Sequence, residues 1–228
     1  MTEYVITPCP RMALPVWESA ARFPVHRVYC IGRNYADHAR EMGHDPDREP
    51  PFFFQKNPDD LDPSGVFPYP PETANVHHEV ELAVALGSGG SDIAVAEAMD
   101  AVWGYAAALD MTRRDLQDVA KKAARPWEVA KAFARSAPVG PLVPAAELGH
   151  PERGAVTLAI NGAVKQSGDL DQMIWKVPEI IAHLSRFFVL AAGDVILTGT
   201  PAGVGPVARG DRIEARVADL PPLVVTVE

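Results

Sequence analysis

The stretch 77–86, His77-His78-Glu79-Val80-Glu81-Leu82-Ala83-Val84-Ala85-Leu86, closes on Gly87 and alternates as a strand does. Successive strand side chains point to opposite faces. Val80, Leu82, Val84 and Leu86 therefore share one face, and Glu79, Glu81, Ala83 and Ala85 the other. The small residues after the glutamates suggest that the second face is covered too. Further strands are predicted at 4–7, 25–31, 52–56, 104–111, 156–160, 194–198, 212–217 and 223–227. Asn161-Gly162 after 156–160 is a strong two-residue hairpin signal. Helical spacing predicts short helices at 35–42, capped by Asn34 and ended by Gly43, and at 94–102, 112–123 and 178–188. Many short strands with about four helices predict a β-rich α+β architecture rather than a dinucleotide-binding one.

Two carboxylates side by side against a covered surface repel each other and resist desolvation. A proton, a hard divalent cation or a solvated sheet edge would each resolve the conflict for Glu79 and Glu81. Asp110 ends an apolar strand and reads as a cap for the next helix, as a ligand, or as both. His38 and Glu41 lie three apart on the helix 35–42, so they form either a surface pair or a dyad whose carboxylate orients a general base. The loop Gly199-Thr200-Pro201-Ala202-Gly203-Val204-Gly205 is either a plain turn or an anion cradle of backbone N–H groups. The acidic run around Asp59, Asp60 and Asp62 reads as a solvated loop.

Composition narrows the classes. The 228 residues carry 47% hydrophobic and 22% charged side chains and a net charge of -9, which suits one sizeable domain. No Lys/Arg-rich run is present, so a nucleic-acid partner is not expected. Cys9 and Cys30 fit neither a disulfide scaffold nor a zinc motif. No apolar run has the length of a membrane span and the N-terminus lacks a signal pattern, so a cytoplasmic location is expected. No Gly-x-Ser-x-Gly elbow and no phosphate-loop lysine occur.

Taken in order, several segments resemble the fumarylacetoacetate hydrolase family from about residue 25 to the C-terminus. They are Gly32-Arg33-Asn34-Tyr35 with His38 and Glu41; His77-His78-Glu79-Val80-Glu81; Leu109-Asp110-Met111-Thr112 with Arg114, Asp115 and Gln117; Lys131; and Thr198-Gly199-Thr200-Pro201 with Gly203 and Gly205. The short chain and the run from Ala39 to Pro46 are similar to the bacterial fumarylpyruvate hydrolases and acylpyruvases of that family. The resemblance implies a mixed β-sandwich roll of the family's C-terminal domain type over 25–228, preceded by a short N-terminal segment, 1–24. It also implies a homodimer with one Mg2+ or Mn2+ per site.

The resemblance makes Glu79, Glu81 and Asp110 the metal ligands. It makes His38 and Glu41 a dyad on a lid helix, and Lys131 a lysine that polarises a carbonyl or stabilises an enolate. Gln117 and Thr200 become substrate contacts, with Arg33 a second carboxylate contact. His77 shares the glutamates' face by parity, which keeps zinc open on the residues alone, but the family pattern does not use it. Where relatives often read Lys-Pro, this chain has Lys56-Asn57-Pro58, so no role is given to Lys56. The implied reaction is metal-dependent hydrolysis of a 2,4-dioxo acid such as 3-fumarylpyruvate, with gentisate degradation as its context. The rival readings are oxaloacetate decarboxylation on the same site and a carboxylate-binding module without catalysis.

Overall fold

The computed structural model describes residues 4–37 and 50–228. Most of the predicted helix 35–42, with His38 and Glu41, lies outside the described residues. Two mixed sheets dominate the rest. The larger runs, edge to edge, through Val143–Pro144, Val102–Leu109, Val80–Leu86, Val195–Leu197, Val28–Gly32 and Phe52–Lys56. All its pairings are antiparallel except that of Val195–Leu197 with Val28–Gly32. The smaller runs through Ala163–Asp169, Ala155–Ile160, Arg212–Val217, Leu223–Val227 and Val66–Phe67. This is the β-rich α+β arrangement that the sequence predicts.

The alternation along 80–86 decides how the layers stack. Val80, Leu82, Val84 and Leu86 face the main core, which they share with Val156, Leu158, Ile213 and Ala215 of the smaller sheet. Ala83 and Ala85 face a second core with Cys30, Leu197 and Leu14. Because that face carries alanines, another layer can approach it closely. The layer is a ribbon of Ala13–Pro15 paired with Arg22–Pro24. The N-terminal strand therefore lies at 13–15 and not at 4–7, where the side chains are exposed. Proline at 8 and 10 removes two ladder donors from any continuation of a strand beyond residue 7.

The Asn161-Gly162 turn has φ values of 51° and 82° and joins Ile160 directly to Ala163, as a two-residue hairpin turn requires. Two further expectations fail. Residues 94–102 form turns and a short 3-10 helix, Ala98–Ala101, because Val102 already belongs to the next strand. Only Asp59 of the acidic run is solvated: Asp60 and Asp62 are buried. Asp60 accepts from the Asn57 N–H at 2.7 Å, and Asp62 accepts from Arg135 Nε at 2.6 Å.

Both cysteines are free, Cys9 exposed and Cys30 buried in the strand Val28–Gly32. Burial first, and the Asp110 charge second, push the Cys30 thiol well above its ordinary range.

Candidate active site

Strand register brings the acids together. Val80 pairs with Leu109 and Glu81 with Ala108, and the Asp110 N–H donates to the Glu79 carbonyl at 2.9 Å. Asp110 therefore sits across from Glu79, and Glu81 lies two residues on. One ligand oxygen from each of Glu79, Glu81 and Asp110 lies within 4.8 Å of the others, and all three residues are buried. Like charges facing each other across a ladder destabilise it, so compensation is required.

Three cations supply part of it. Lys131, from the short helix Glu128–Lys131, donates to Glu79 Oε2 at 2.8 Å and to Asp110 Oδ2 at 2.6 Å. Lys56, from the edge strand, lies 2.8 Å from Asp110 Oδ1. Arg114, which opens the helix Arg114–Lys122, pairs with Glu79 and donates to Gln117 Oε1 at 2.6 Å. Burial alone would lower the Lys131 pKa, but the Asp110 and Glu79 charges hold it above the usual lysine range. Glu81 has no such cation in contact among the described residues; its carboxylate accepts the Gly199 N–H at 2.7 Å. Burial, then Asp110 and Glu79, push its pKa well up. The glycine loop thus does cradle a carboxylate, and the carboxylate is the protein's own. Gly199 has a φ of 94°, and a Cβ there would fall 2.8 Å from the Asn34 Cβ.

The donor set fits a hard divalent cation. It offers oxygen only, from three carboxylates. Asp110 Oδ1 is buried and accepts no well-directed hydrogen bond despite the nearby Lys56, and Glu81 is short of positive charge. Glu79, Glu81 and Asp110 could hold the ion. His77 does not join them. The ladder is interrupted between Val76–His78 and Val80–Leu86, so parity does not carry through, and His77 Nε2 turns instead to Asn75 Oδ1 at 3.0 Å.

A narrow cleft with a free volume of about 40 Å³ opens on this cluster, and Arg33, Gln117, Lys131 and Thr200 all line it. Every proposed site residue within the described part of the chain therefore faces one space.

Three contributors were not assigned from sequence. Lys56 is the buried partner of Asp110 although its neighbour is Asn57. Arg114 shares a side of its helix with Gln117 and belongs to the family pattern, but neither gives it a role. Gln166 is fully buried and holds a network together. Its Oε1 accepts the Val80 N–H at 3.1 Å and faces His78 Nδ1 at 2.8 Å, and its Nε2 donates to Thr200 Oγ1 and to the Pro201 carbonyl, each at 2.8 Å. The Val80 N–H fixes which end of the amide accepts. Thr200 Oγ1 then receives a hydrogen, leaving its own O–H free to donate into the cleft. Asn34, read as a helix cap, is also a bracket: its Nδ2 donates to the Thr198 and Trp175 carbonyls at 2.8 and 2.9 Å.

The family model for the fumarylacetoacetate (FAA) hydrolase C-terminal domain matches residues 27–228. The chain belongs to the fumarylacetoacetate hydrolase family. It is 43% identical over 199 residues to the oxaloacetate tautomerase YcgM of Escherichia coli, covering 86% of this chain and 91% of that protein. It is 42% identical over 201 residues to the mitochondrial oxaloacetate tautomerase of Homo sapiens, covering 88% and 91%. Among solved structures, it superposes on the fumarylpyruvate hydrolase from Pseudomonas aeruginosa in complex with Mn2+ and pyruvate with a TM-score of 0.97 and 50% identity, over 99% of both chains. This family enzyme thus carries a buried acidic cluster suited to a metal, in a fold shared with a Mn2+-binding relative. No helix among its described residues is long and apolar enough to cross a membrane.

Proposed function

We propose that this family member hydrolyses the C3–C4 bond of a 2,4-dioxo acid, 3-fumarylpyruvate above all, to fumarate and pyruvate. It would do so as a homodimer in the cytoplasm, with Mg2+ or Mn2+ held by Glu79, Glu81 and Asp110. The observation that supports this reading is the convergence of three buried carboxylates with Lys131, Gln117, Thr200 and Arg33 on one cleft. The likeness to a fumarylpyruvate hydrolase at 50% identity supports the choice of substrate.

The bound cation would supply Lewis-acid stabilisation of negative charge on the substrate's oxygens. The chain's own groups do the rest. Thr200 donates its freed O–H to the 1-carboxylate, Gln117 contacts the head of the substrate, and Arg33 faces a second carboxylate. His38, oriented by Glu41, takes a proton from water as the oxygen attacks C4. The C3–C4 bond then breaks with its electron pair on C3, as the enolate of pyruvate, and a proton delivered to C3 completes pyruvate. Lys131, kept charged by its carboxylate neighbours, stabilises the developing oxyanion.

A second reading, oxaloacetate tautomerisation or decarboxylation, is favoured by the two tautomerases at 42% and 43% identity. It needs the enolate but no activated water. The test is a panel of fumarylpyruvate, acetylpyruvate and oxaloacetate with Mg2+, following loss of the diketo absorbance and the products formed. Fumarate and pyruvate are expected from the first, and His38→Ala is expected to lose hydrolysis while still binding metal. Turnover of oxaloacetate alone, or full hydrolysis by His38→Ala, would overturn the reading.

A further inference from the structure

Among the described residues, two cations of the cleft form no ion pair with a carboxylate. Lys56, Arg114 and Lys131 are each tied to Glu79 or Asp110. Arg33 and Lys121 line the same cleft but enter no ion pair among the described residues. Each stands over an aromatic ring instead: the Arg33 guanidinium 5.8 Å from the centre of Phe52, and Lys121 Nζ 5.4 Å from that of Trp127. The two rings meet edge to face, 5.0 Å apart at 68°. The ring pair and its two cations therefore form one continuous patch at the side of the cleft.

The patch is held in place on both flanks. A Cβ on Gly32 would fall 2.5 Å from the Phe52 ring, so the ring packs directly on backbone that only glycine leaves open. Arg33 itself has a φ of 59°, a conformation disfavoured for a residue with a side chain. Behind the patch, Phe52, Phe53 and Phe54 line a second cavity that shares Phe54, Trp127 and Lys131 with the cleft. The acidic cleft and an aromatic hollow therefore lie side by side, with Phe54, Trp127 and Lys131 between them.

We propose that Phe52, Trp127, Arg33 and Lys121 form the subsite for the substrate's acyl tail, and that it selects a flat, conjugated tail ending in a carboxylate. This rests on the hydrolase reading above, which already gives Arg33 to a carboxylate; Lys121 and the ring pair are the addition. A planar conjugated tail stacks on aromatic faces with little strain. The terminal carboxylate gains a charge-assisted bond from an ammonium that lies over a ring face and forms no ion pair among the described residues. Burial, and then the Arg114 charge, press the Lys121 pKa below its usual range, so an anion placed there relieves an existing electrostatic cost. A short neutral tail such as acetyl would leave both cations as they are.

The experiment compares fumarylpyruvate with acetylpyruvate, which shares the reacting head, in the Mg2+-loaded enzyme. The quantity read is the ratio of their kcat/KM values. Lys121→Met, whose side chain can still cover Trp127, is expected to lower that ratio about 10- to 100-fold, the worth of one charge-assisted hydrogen bond, chiefly through the KM for fumarylpyruvate. Lys121→Gln serves as a second neutral variant in case the first folds poorly, and Lys121→Arg is expected to restore most of the ratio. An unchanged ratio in the neutral variants would overturn the subsite. Wild-type protein that turns over neither dioxo acid would instead remove the hydrolase reading, and the subsite with it.

Discussion

The two sheets solve the same packing problem in opposite ways. The smaller sheet alternates between core and solvent, as in Leu223–Val227, where buried and exposed residues take turns. Its arginines and glutamate sit on the wet face, where Arg216 pairs with Glu214 at 2.5 Å. The larger sheet is covered on both faces; every residue of Val80–Leu86 is buried. Charge in the first sheet costs little and does little. Charge in the second is affordable only because Lys56, Lys131 and Arg114 answer it. The contrast teaches that a charge on a doubly covered strand marks chemistry, whereas the same residue type on a half-exposed strand marks solubility.

The sharpest way to break the contrast is to remove an acid from the covered sheet. Asp110→Asn is expected to lower dioxo-acid turnover by about 10³-fold, several kcal/mol of lost electrostatic stabilisation, and calorimetric titration should show Mn2+ affinity falling with it. Glu81 sharpens the point through pH. Its folded pKa is raised, so the stability that this group contributes is present at low pH and drains away as pH rises from the ordinary glutamate value of 4.5 through the folded pKa. Metal-free protein should melt at progressively lower temperature over that window. Mg2+ should reverse the trend, since it binds the ionised form, and Glu81→Gln should flatten it. Melts that rise with pH in the absence of metal would contradict the assignment.

A smaller effect is expected where the sheets meet. Gln166 belongs to the half-exposed sheet but is buried and reaches across to Val80, His78 and Thr200. Gln166→Leu strands the Val80 N–H and the His78 ring, and should cost about 1–3 kcal/mol in denaturant unfolding, together with a raised KM from the loss of Thr200's orientation. The smallest effect belongs to the wet face. Val164→Thr, at a position 67% exposed, should move stability by no more than about 0.5 kcal/mol. A larger change there would mean that this face is covered in the assembled protein.

What the sequence revealed follows the same division. Alternation fixed both faces of Val80–Leu86, the Asn161-Gly162 turn located its hairpin, and the family pattern named residues that the cleft does collect. Local signals missed whatever depended on distant partners. Asp62 looked solvated because its partner is Arg135, seventy-odd positions away. Lys56 looked unassignable because its meaning lies in Asp110, just past the end of another strand of the same sheet. Gln166 sits in a polar hairpin arm whose pattern gives no hint that one residue turns inward. The interval 94–102 has helical spacing, but strand pairing takes Val102 and leaves too few residues for a stable helix.

The placement of the two sulfurs has a practical consequence. Cys9 lies in the open, while Cys30 is sealed in the sheet with its thiol held protonated. An alkylating reagent should therefore mark the native chain once and the denatured chain twice. The second adduct would be a mass-resolved clock for opening of the layer that supports the acids.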